Sequence, residues 1–405
     1  MADPKEEKEL HIVPRLPHPI SSGLYNVDED RHSPSGSTSQ KQSEHRSRYS
    51  SHRSASPPTP SLLAYSSCKL LRMFFLSMLA AIALSSTFFV AASVIPNQPV
   101  RRSGEDPVFS QDFPDPSILL DEDGTWYAFG TTGNGKQIQV AVGGTLYQQW
   151  SLLDDIDALP QPGTWTTGRN TWAPDVHKTS NGTYVMYYSG EVAASPAHHC
   201  IGTAVSDTIT GPYIPDDEPF ACDLDIGGAI DASGFEDDDG TQYVLYKVDG
   251  NSVGHGGSCG NTVDPIAPTP IMLQEVLADG VTKVGDPVAI LDRTADDGPL
   301  VEAPSLLRTA NGLYILFFSS GCYLEPTYNV NYATATSVKG PFQRAPRPMI
   351  RTGEYSLQAP GGASAVHVDG RVGVAFHANC PTGPGRCMHT TPTIVDGREV
   401  KVDID

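Results

Sequence analysis

The sequence predicts an all-β fold, a five-bladed β-propeller preceded by a polar tail and one apolar segment. Three observations carry this. A short pattern recurs five times: a small or acidic residue pair, a hydrophobic run, a glycine-centred turn and an aromatic strand. The copies begin at Asp115-Pro116-Ser117, Ala173-Pro174-Asp175, Asp231-Ala232-Ser233, Ala303-Pro304-Ser305 and Gly361-Gly362-Ala363. Their turn glycines, Gly124, Gly182, Gly240, Gly312 and Gly370, are 58, 58, 72 and 58 residues apart, a period that marks stacked or radial supersecondary units. Beyond residue 100 no long stretch keeps a helical apolar period.

The first copy reads as a hairpin, with Ser117-Ile118-Leu119-Leu120, the turn Asp121-Glu122-Asp123-Gly124, and Thr125-Trp126-Tyr127-Ala128-Phe129. The second pairs Val176-His177-Lys178 with Tyr184-Val185-Met186-Tyr187-Tyr188, and the third leads from Phe235 to Tyr243-Val244-Leu245-Tyr246. The fourth pairs Leu306-Leu307-Arg308 with Tyr314-Ile315-Leu316-Phe317-Phe318, and the fifth Val366-His367-Val368 with Val372-Gly373-Val374-Ala375-Phe376. About 62 residues per copy leave room for a four-stranded blade with loops. The longer third interval predicts an insertion within residues 251–270, where Gly, Ser and Pro cluster with Cys259.

Residues 1–72 form a Ser-, Pro- and charge-rich tail with few large apolar side chains, too little buried surface to offset ordering, so disorder is expected. Residues 73–95 carry no charge and are long enough to span a bilayer. Two readings stay open: a signal anchor, or a signal peptide that starts at Met73. Both send a propeller domain of residues 96–405 into the secretory pathway, with membrane contact only through residues 73–95 if they are retained. Lys and Arg minus Asp and Glu gives 10 − 8 for residues 1–72 and 17 − 39 for residues 96–405. The folded part is therefore acidic, which disfavours nucleic acid and anionic membrane and suits neutral or cationic substrates.

Six cysteines follow the apolar run, Cys200, Cys222, Cys259, Cys322, Cys380 and Cys387. An even number in an exported domain is consistent with disulfides, and a local Cys380–Cys387 clip is the simplest pairing. There is no CxxC spacing to suggest zinc. The sequon Asn181-Gly182-Thr183 falls on a predicted turn and can accept a glycan.

Three carboxylates stand at the heads of copies, Asp115, Asp231 and, one place earlier in its copy, Glu302. Acids at strand starts often serve only local backbone hydrogen bonds, but equivalent positions of a propeller converge on its axis. The segments Phe113-Pro114-Asp115-Pro116-Ser117, Trp172-Ala173-Pro174-Asp175-Val176, Ile230-Asp231-Ala232-Ser233 and Val301-Glu302-Ala303-Pro304-Ser305 resemble, in this order, those of glycoside hydrolase family 43. That resemblance covers roughly residues 107–405 and implies five-bladed enzymes acting on arabinose- and xylose-containing plant cell-wall polysaccharides. By position it assigns Asp115 as general base, Glu302 as general acid and Asp231 as the residue that orients the acid and raises its pKa. Inversion needs the base and acid roughly 6.5–9.5 Å apart, so that a water fits between base and sugar. Phe113 and Trp172 are candidates for an apolar wall against the sugar, with packing between blades as the competing role. His377 matches a histidine near the family's axis, where it contacts sugar or a bound ion, or else is a satisfied core residue. The family's Pro-Gly-His at the fifth blade is here Pro360-Gly361-Gly362, which weakens any axial metal using that ligand. The expected activity is inverting hydrolysis of α-L-arabinofuranosyl linkages in arabinan or arabinoxylan. No cofactor is required, although a structural ion near the axis is possible. A β-xylosidase on the same scaffold and a non-catalytic sugar-binding propeller are the alternatives.

Overall fold

A computed structural model describes residues 106–404; the expected tail and apolar segment at residues 1–95 lie outside the described residues. Five antiparallel sheets follow one another along the chain. Blade one holds β1 (Ser117–Leu120), β2 (Trp126–Gly130), β3 (Gln139–Gly143) and β4 (Ser151–Leu152). Blade two holds β5 (Trp172–Lys178), β6 (Tyr184–Glu191), β7 (His199–Ser206) and β8 (Ile214–Pro215), and blade three β9 (Ala229–Glu236), β10 (Gln242–Val248), β11 (Ile271–Val276) and β12 (Lys283–Leu291). Blade four holds β13 (Val301–Arg308), β14 (Tyr314–Ser320), β15 (Asn329–Ala335) and β16 (Gln343–Arg344), with β17 (Ile350–Arg351) also on β15. Blade five holds β18 (Gly361–Val368), β19 (Arg371–Asn379), β20 (Arg386–Asp396) and β21 (Glu399–Val402). Among the described residues no helix is long and apolar enough to cross a membrane.

The second strand of each blade explains why the sequence shows apolar runs rather than alternation. Every residue of β6 and of β14 is buried, because neighbouring blades cover both faces of the sheet. The apolar side chains gather into five wedges, one between each adjacent pair of blades. The wedge between blades five and one joins Phe109, Phe113 and Trp150 to Ala375 and Met388. The entering chain also pairs there with β20, Val108 donating to the Met388 carbonyl at 2.9 Å and Phe113 to that of Arg386 at 2.7 Å. Hairpin tips are tied across blades too: the Tyr184 hydroxyl donates to Asp121 at 2.8 Å, and that of Tyr314 to Asp237 at 2.6 Å. These tip acids are structural.

Two details sharpen the repeat. Copies one to four have five residues between their paired hairpin ends, for example Leu120 and Trp126, whereas Val368 pairs with Arg371 across Asp369-Gly370 alone. Both of those residues have positive φ, 49° and 75°, as a two-residue turn of this type demands. The fifth hairpin is thus shorter, and the fifth triplet is Gly362-Ala363-Ser364, one residue later than the turn glycines imply. The insertion after β10 lies where expected, over residues 249–270. Three disulfides join Cys200 to Cys222, Cys259 to Cys322 and Cys380 to Cys387. Asn181 is exposed in its turn.

The third residue of four of the five triplets ties one blade to another. Ser117 accepts from the Val176 amide at 3.3 Å, Asp175 from Gly234 at 2.8 Å, Ser305 from Ala365 at 3.0 Å, and Ser364 from Ile118 at 3.3 Å. The last of these joins blade five back to blade one. Ser364→Ala leaves the Ile118 amide without that partner, and should lower unfolding free energy by about 1–2 kcal/mol, read by thermal and denaturant unfolding with the far-UV spectrum retained.

Candidate active site

The first residue of every triplet is left-handed: Asp115 (φ 53°), Ala173 (43°), Asp231 (58°), Ala303 (51°) and Gly362 (61°). Non-glycine residues pay on the order of 1 kcal/mol each for this conformation. It accompanies a bulge, since pairing of the inner strand slips between Trp172 and Asp175, between Glu302 and Ser305, and between Gly361 and Ser364. Such bulges re-aim side chains. The five triplets together line one axial cavity, which brings Asp115 and Asp231 to a common space.

The strained residues are held by their own amides. Ala173 donates to the Thr131 hydroxyl at 2.8 Å, Asp231 to Ser189 at 3.0 Å, and Gly362 to Ser319 at 2.9 Å. Asp115 donates to His377 Nδ1 at 3.0 Å, and Ala303 to the Asp231 carboxylate at 2.9 Å. Thr131, Ser189, Lys247, Ser319 and His377 all stand seven places after their turn glycine. Four of them accept the next blade's amide. Lys247 has no acceptor atom, so Asp231 takes over that amide and the lysine is left for the acids.

Asp115 accepts from the Thr131 hydroxyl at 2.6 Å and from Arg386 Nη1 at 3.1 Å. Burial pushes its carboxyl up, but the adjacent guanidinium and the hydroxyl outweigh this and hold it below the ordinary value. Glu302 is 9% exposed. Its Oε1 accepts from the Tyr328 hydroxyl at 2.8 Å and its Oε2 from Lys247 Nζ at 3.1 Å. Lys247 is fully buried and also reaches Asp249 at 3.0 Å; burial disfavours its ammonium, yet Asp249 and Glu302 keep it charged. Asp231 goes the other way: burial first, then the charge of Glu302, push it up to about 8 against the pull of Lys247. Lys247 bonds Glu302 directly and reaches Asp231 only through space, so Asp231 keeps its raised proton affinity.

Two expected wall residues separate. Phe113 is fully buried, meets Phe109 edge-on at 5.3 Å, and fills the space over Gly130; it packs between blades and cannot touch a sugar. Trp172 is half-buried and stacks on His199 with ring centroids 3.5 Å apart. It precedes Ala173 as Glu302 precedes Ala303, and so stays a candidate for the cleft wall. His377 has no exposed surface. Burial and then Arg386 push its pKa down to about 3, so the ring is neutral. Its Nδ1 accepts the Asp115 amide at 3.0 Å, and its Nε2 lies 3.4 Å from Arg386 Nη1. Neither nitrogen is open to sugar or to a cation, so the residues present do not fit an axial ion held by His377. Among the described residues no cluster of three or more His, Cys, Asp or Glu side chains is arranged to hold a metal. The glycines of Pro360-Gly361-Gly362 are required by this packing. A Cβ on Gly362 would lie 2.6 Å from the His377 ring, and one on Gly361 only 1.9 Å from Tyr328.

Lys247, Tyr328 and Arg386 were missed by sequence reasoning. Lys247 was detectable as the one residue seven places after the turn that carries no acceptor atom. Tyr328 and Arg386 lie in the fourth and fifth blades beyond the recurring hairpin, and no periodic signal marks them.

The sequence profile described as Glycosyl hydrolases family 43 matches residues 105–401. A probable arabinan endo-1,5-alpha-L-arabinosidase C of Aspergillus flavus is 28% identical over 277 residues, covering 67% of this chain and 76% of the relative. An extracellular endo-alpha-(1->5)-L-arabinanase of Thermotoga petrophila is 28% identical over 56% of this chain and 50% of its own length. The crystal structure of a thermostable family-43 glycoside hydrolase superposes with a TM-score of 0.62 at 25% identity, over 72% of this chain and 93% of that one.

Two variants test the electrostatics. An unfolded Asp loses its proton near pH 4, whereas folded Asp231 keeps one up to about pH 8, so its contribution to stability falls as pH rises through that window. Asp231→Asn should therefore stabilise the fold by about 1–2 kcal/mol at pH 8, with the gain fading towards pH 4 in denaturant titrations. Lys247→Met strands two buried carboxylates, Asp249 and Glu302, and should cost about 3 kcal/mol at pH 7.5 in denaturant titrations.

Proposed function

The chain belongs to glycosyl hydrolase family 43, as the match over residues 105–401 shows, and on that premise we propose that it hydrolyses α-L-arabinofuranosyl linkages of arabinan by inversion. The protein is a glycosidase acting on O-glycosyl compounds. The observation that carries the finer reading is the split in proton affinity within one axial cavity, with Asp115 held ionised and Asp231 holding a proton up to about pH 8. Groups pushed apart in this way divide into base and acid: Asp115 is the base, and the proton held on Asp231 is the one its neighbour Glu302 delivers.

Asp115 takes a proton from a water, whose oxygen attacks the anomeric carbon from the face opposite the leaving group. The glycosidic C–O bond breaks as the one proton of the Asp231–Glu302 pair leaves through Glu302 to the departing oxygen. The product sugar has the inverted anomeric configuration, Asp115 ends protonated and the Asp231–Glu302 pair without its proton, and exchange with solvent resets both sides. Asp231 stores a proton beside Glu302 and so keeps the pair singly protonated at neutral pH. Lys247 and Tyr328 grip the two oxygens of the Glu302 carboxylate that donation leaves behind. Arg386 and Thr131 keep Asp115 basic in geometry and ionised in charge. The steps need no cofactor.

The substrate reading is supported by the arabinan-cleaving names of the two relatives above. The three disulfides suit an oxidising compartment, and we place the enzyme in the secretory pathway, acting on plant cell-wall polysaccharide outside the cytosol. Incubation with linear arabinan should release arabinose or arabino-oligosaccharides, with the inverted anomer appearing first by NMR. Release from xylan alone would transfer the assignment to xylosides, and a retained anomer would exclude the water-activating role of Asp115. Glu302→Gln should lower kcat on natural linkages by about 10³-fold and spare aryl glycosides with good leaving groups. The alkaline limb of kcat/KM should fall near pH 8, where the Asp231–Glu302 pair loses its last proton.

A further inference from the structure

The loop between β14 and β15, residues 321–328, joins the candidate acid to the candidate base. At one end Tyr328 donates its hydroxyl to Glu302. Near the other, the Tyr323 ring lies under the Arg386 guanidinium, whose carbon is 5.0 Å from the ring centroid, and Arg386 bonds Asp115 at 3.1 Å. Tyr323 is thus one side chain removed from the proposed site of water activation. It is 41% exposed and Leu324 beside it 62% exposed, and among the described residues Tyr323 is the one exposed aromatic in the set of exposed large hydrophobics. The other Phe, Trp and Tyr rings of the described residues are buried or half-buried. An aromatic ring left in water beside a polar cavity loses burial energy that the fold elsewhere recovers.

The loop is also fixed in place. Cys322, next to Tyr323, is bonded to Cys259 in the insertion after β10. That insertion accounts for the longer third interval, 72 − 58 = 14 residues, and it is the segment that supplies Cys259. A lone exposed side chain on a free loop would pay ordering entropy each time it bound a ligand, and a covalent anchor removes part of that cost. One face of the ring is taken by a cation, which leaves the other for a neutral partner with an apolar face. The hydrogen-bearing face of a pentose ring has that chemistry.

We propose that Tyr323 is a sugar-stacking platform of the cleft, receiving a pentose unit next to the cleaved bond, and that the Cys259–Cys322 bond holds it in register with Asp115. The proposal rests on the glycosidase reading above. It assigns Tyr323 to substrate binding and gives the insertion of blade three a purpose.

Steady-state kinetics of the full-length enzyme on arabinotetraose provide the test. Tyr323→Ala should raise KM about tenfold with kcat within about twofold, Tyr323→Trp should restore KM, and Cys259→Ser with Cys322→Ser should raise KM by a smaller factor. Unchanged KM in Tyr323→Ala overturns the platform. So does a fall in kcat at constant KM, which would mean that the ring acts only by packing on Arg386. Should the wild type be inert on arabinotetraose, the substrate reading fails by itself, and calorimetric binding of xylotetraose then decides the platform. Loss of affinity in Tyr323→Ala supports it there, while equal affinity, or no binding by either protein, overturns it.

Discussion

Everything at the centre of this propeller depends on a ring of backbone amides, each held by a side chain of the preceding blade. Five chains of strands converge on an axis too narrow for ordinary strand geometry, and each inner strand meets it with a bulge whose first residue is left-handed. Left-handed residues are costly, and an unpaired amide there would be costlier still. A hydroxyl, an imidazole or a carboxylate from the neighbouring blade satisfies each one. The same contacts join blade to blade, so the strain at the axis and the cohesion of the ring have a common origin. A side chain attached to a residue aimed this way points into the axial cavity, which makes the position suited to acids. The site is thus a by-product of closing the ring.

The acids differ because their neighbours differ. Asp115 and Asp231 occupy equivalent positions on equivalent bulges, and backbone geometry alone would give them equal proton affinities. Asp115 has Arg386 and Thr131 against its oxygens, and these more than offset burial. Asp231 has a backbone amide, a neighbouring carboxylate and no directly bonded cation, so burial and repulsion prevail. The lysine that could have stabilised it bonds Glu302 and Asp249 instead. Magnitudes decide here: a buried ion pair at hydrogen-bond distance outweighs one acting through space.

The repeat made the fold legible from sequence, since its turn glycines and apolar runs sit in every copy and each run reflects a sheet covered on both faces. It also pointed to Asp115 and Asp231, whose equivalence along the chain becomes a shared cavity in space, and to Glu302 one place before its triplet. The fifth triplet was misplaced by one residue, since Asp369-Gly370 makes a shorter turn than the tips of the other blades. Phe113 takes its competing role, packing between blades, for a different reason. Its neighbour Asp115 faces the axis, but Phe113 lies before the bulge, where the entering chain still pairs with β20 and turns its side chain into the wedge between blades. His377 was located correctly at the axis, yet its contacts are with backbone and guanidinium, which a motif match does not convey.

Departures from fivefold symmetry carry the chemistry. Where the second strand offers Thr131, Ser189 or Ser319, the blade performs the shared task of holding an amide. Where it offers Lys247, the amide passes to Asp231, and a charge is freed to organise the acids. Where it offers His377, the acceptor is kept but a bulky ring is brought in, which Gly361 and Gly362 accommodate by lacking side chains next to Tyr328 and His377. Each departure therefore requires a second one close by, and the pair can be read only when both strands are seen together. A single sequence displays the first member of such a pair as a broken pattern. The compensating member lies on the preceding strand of the same blade, Asp231 for Lys247 and Gly361 with Gly362 for His377.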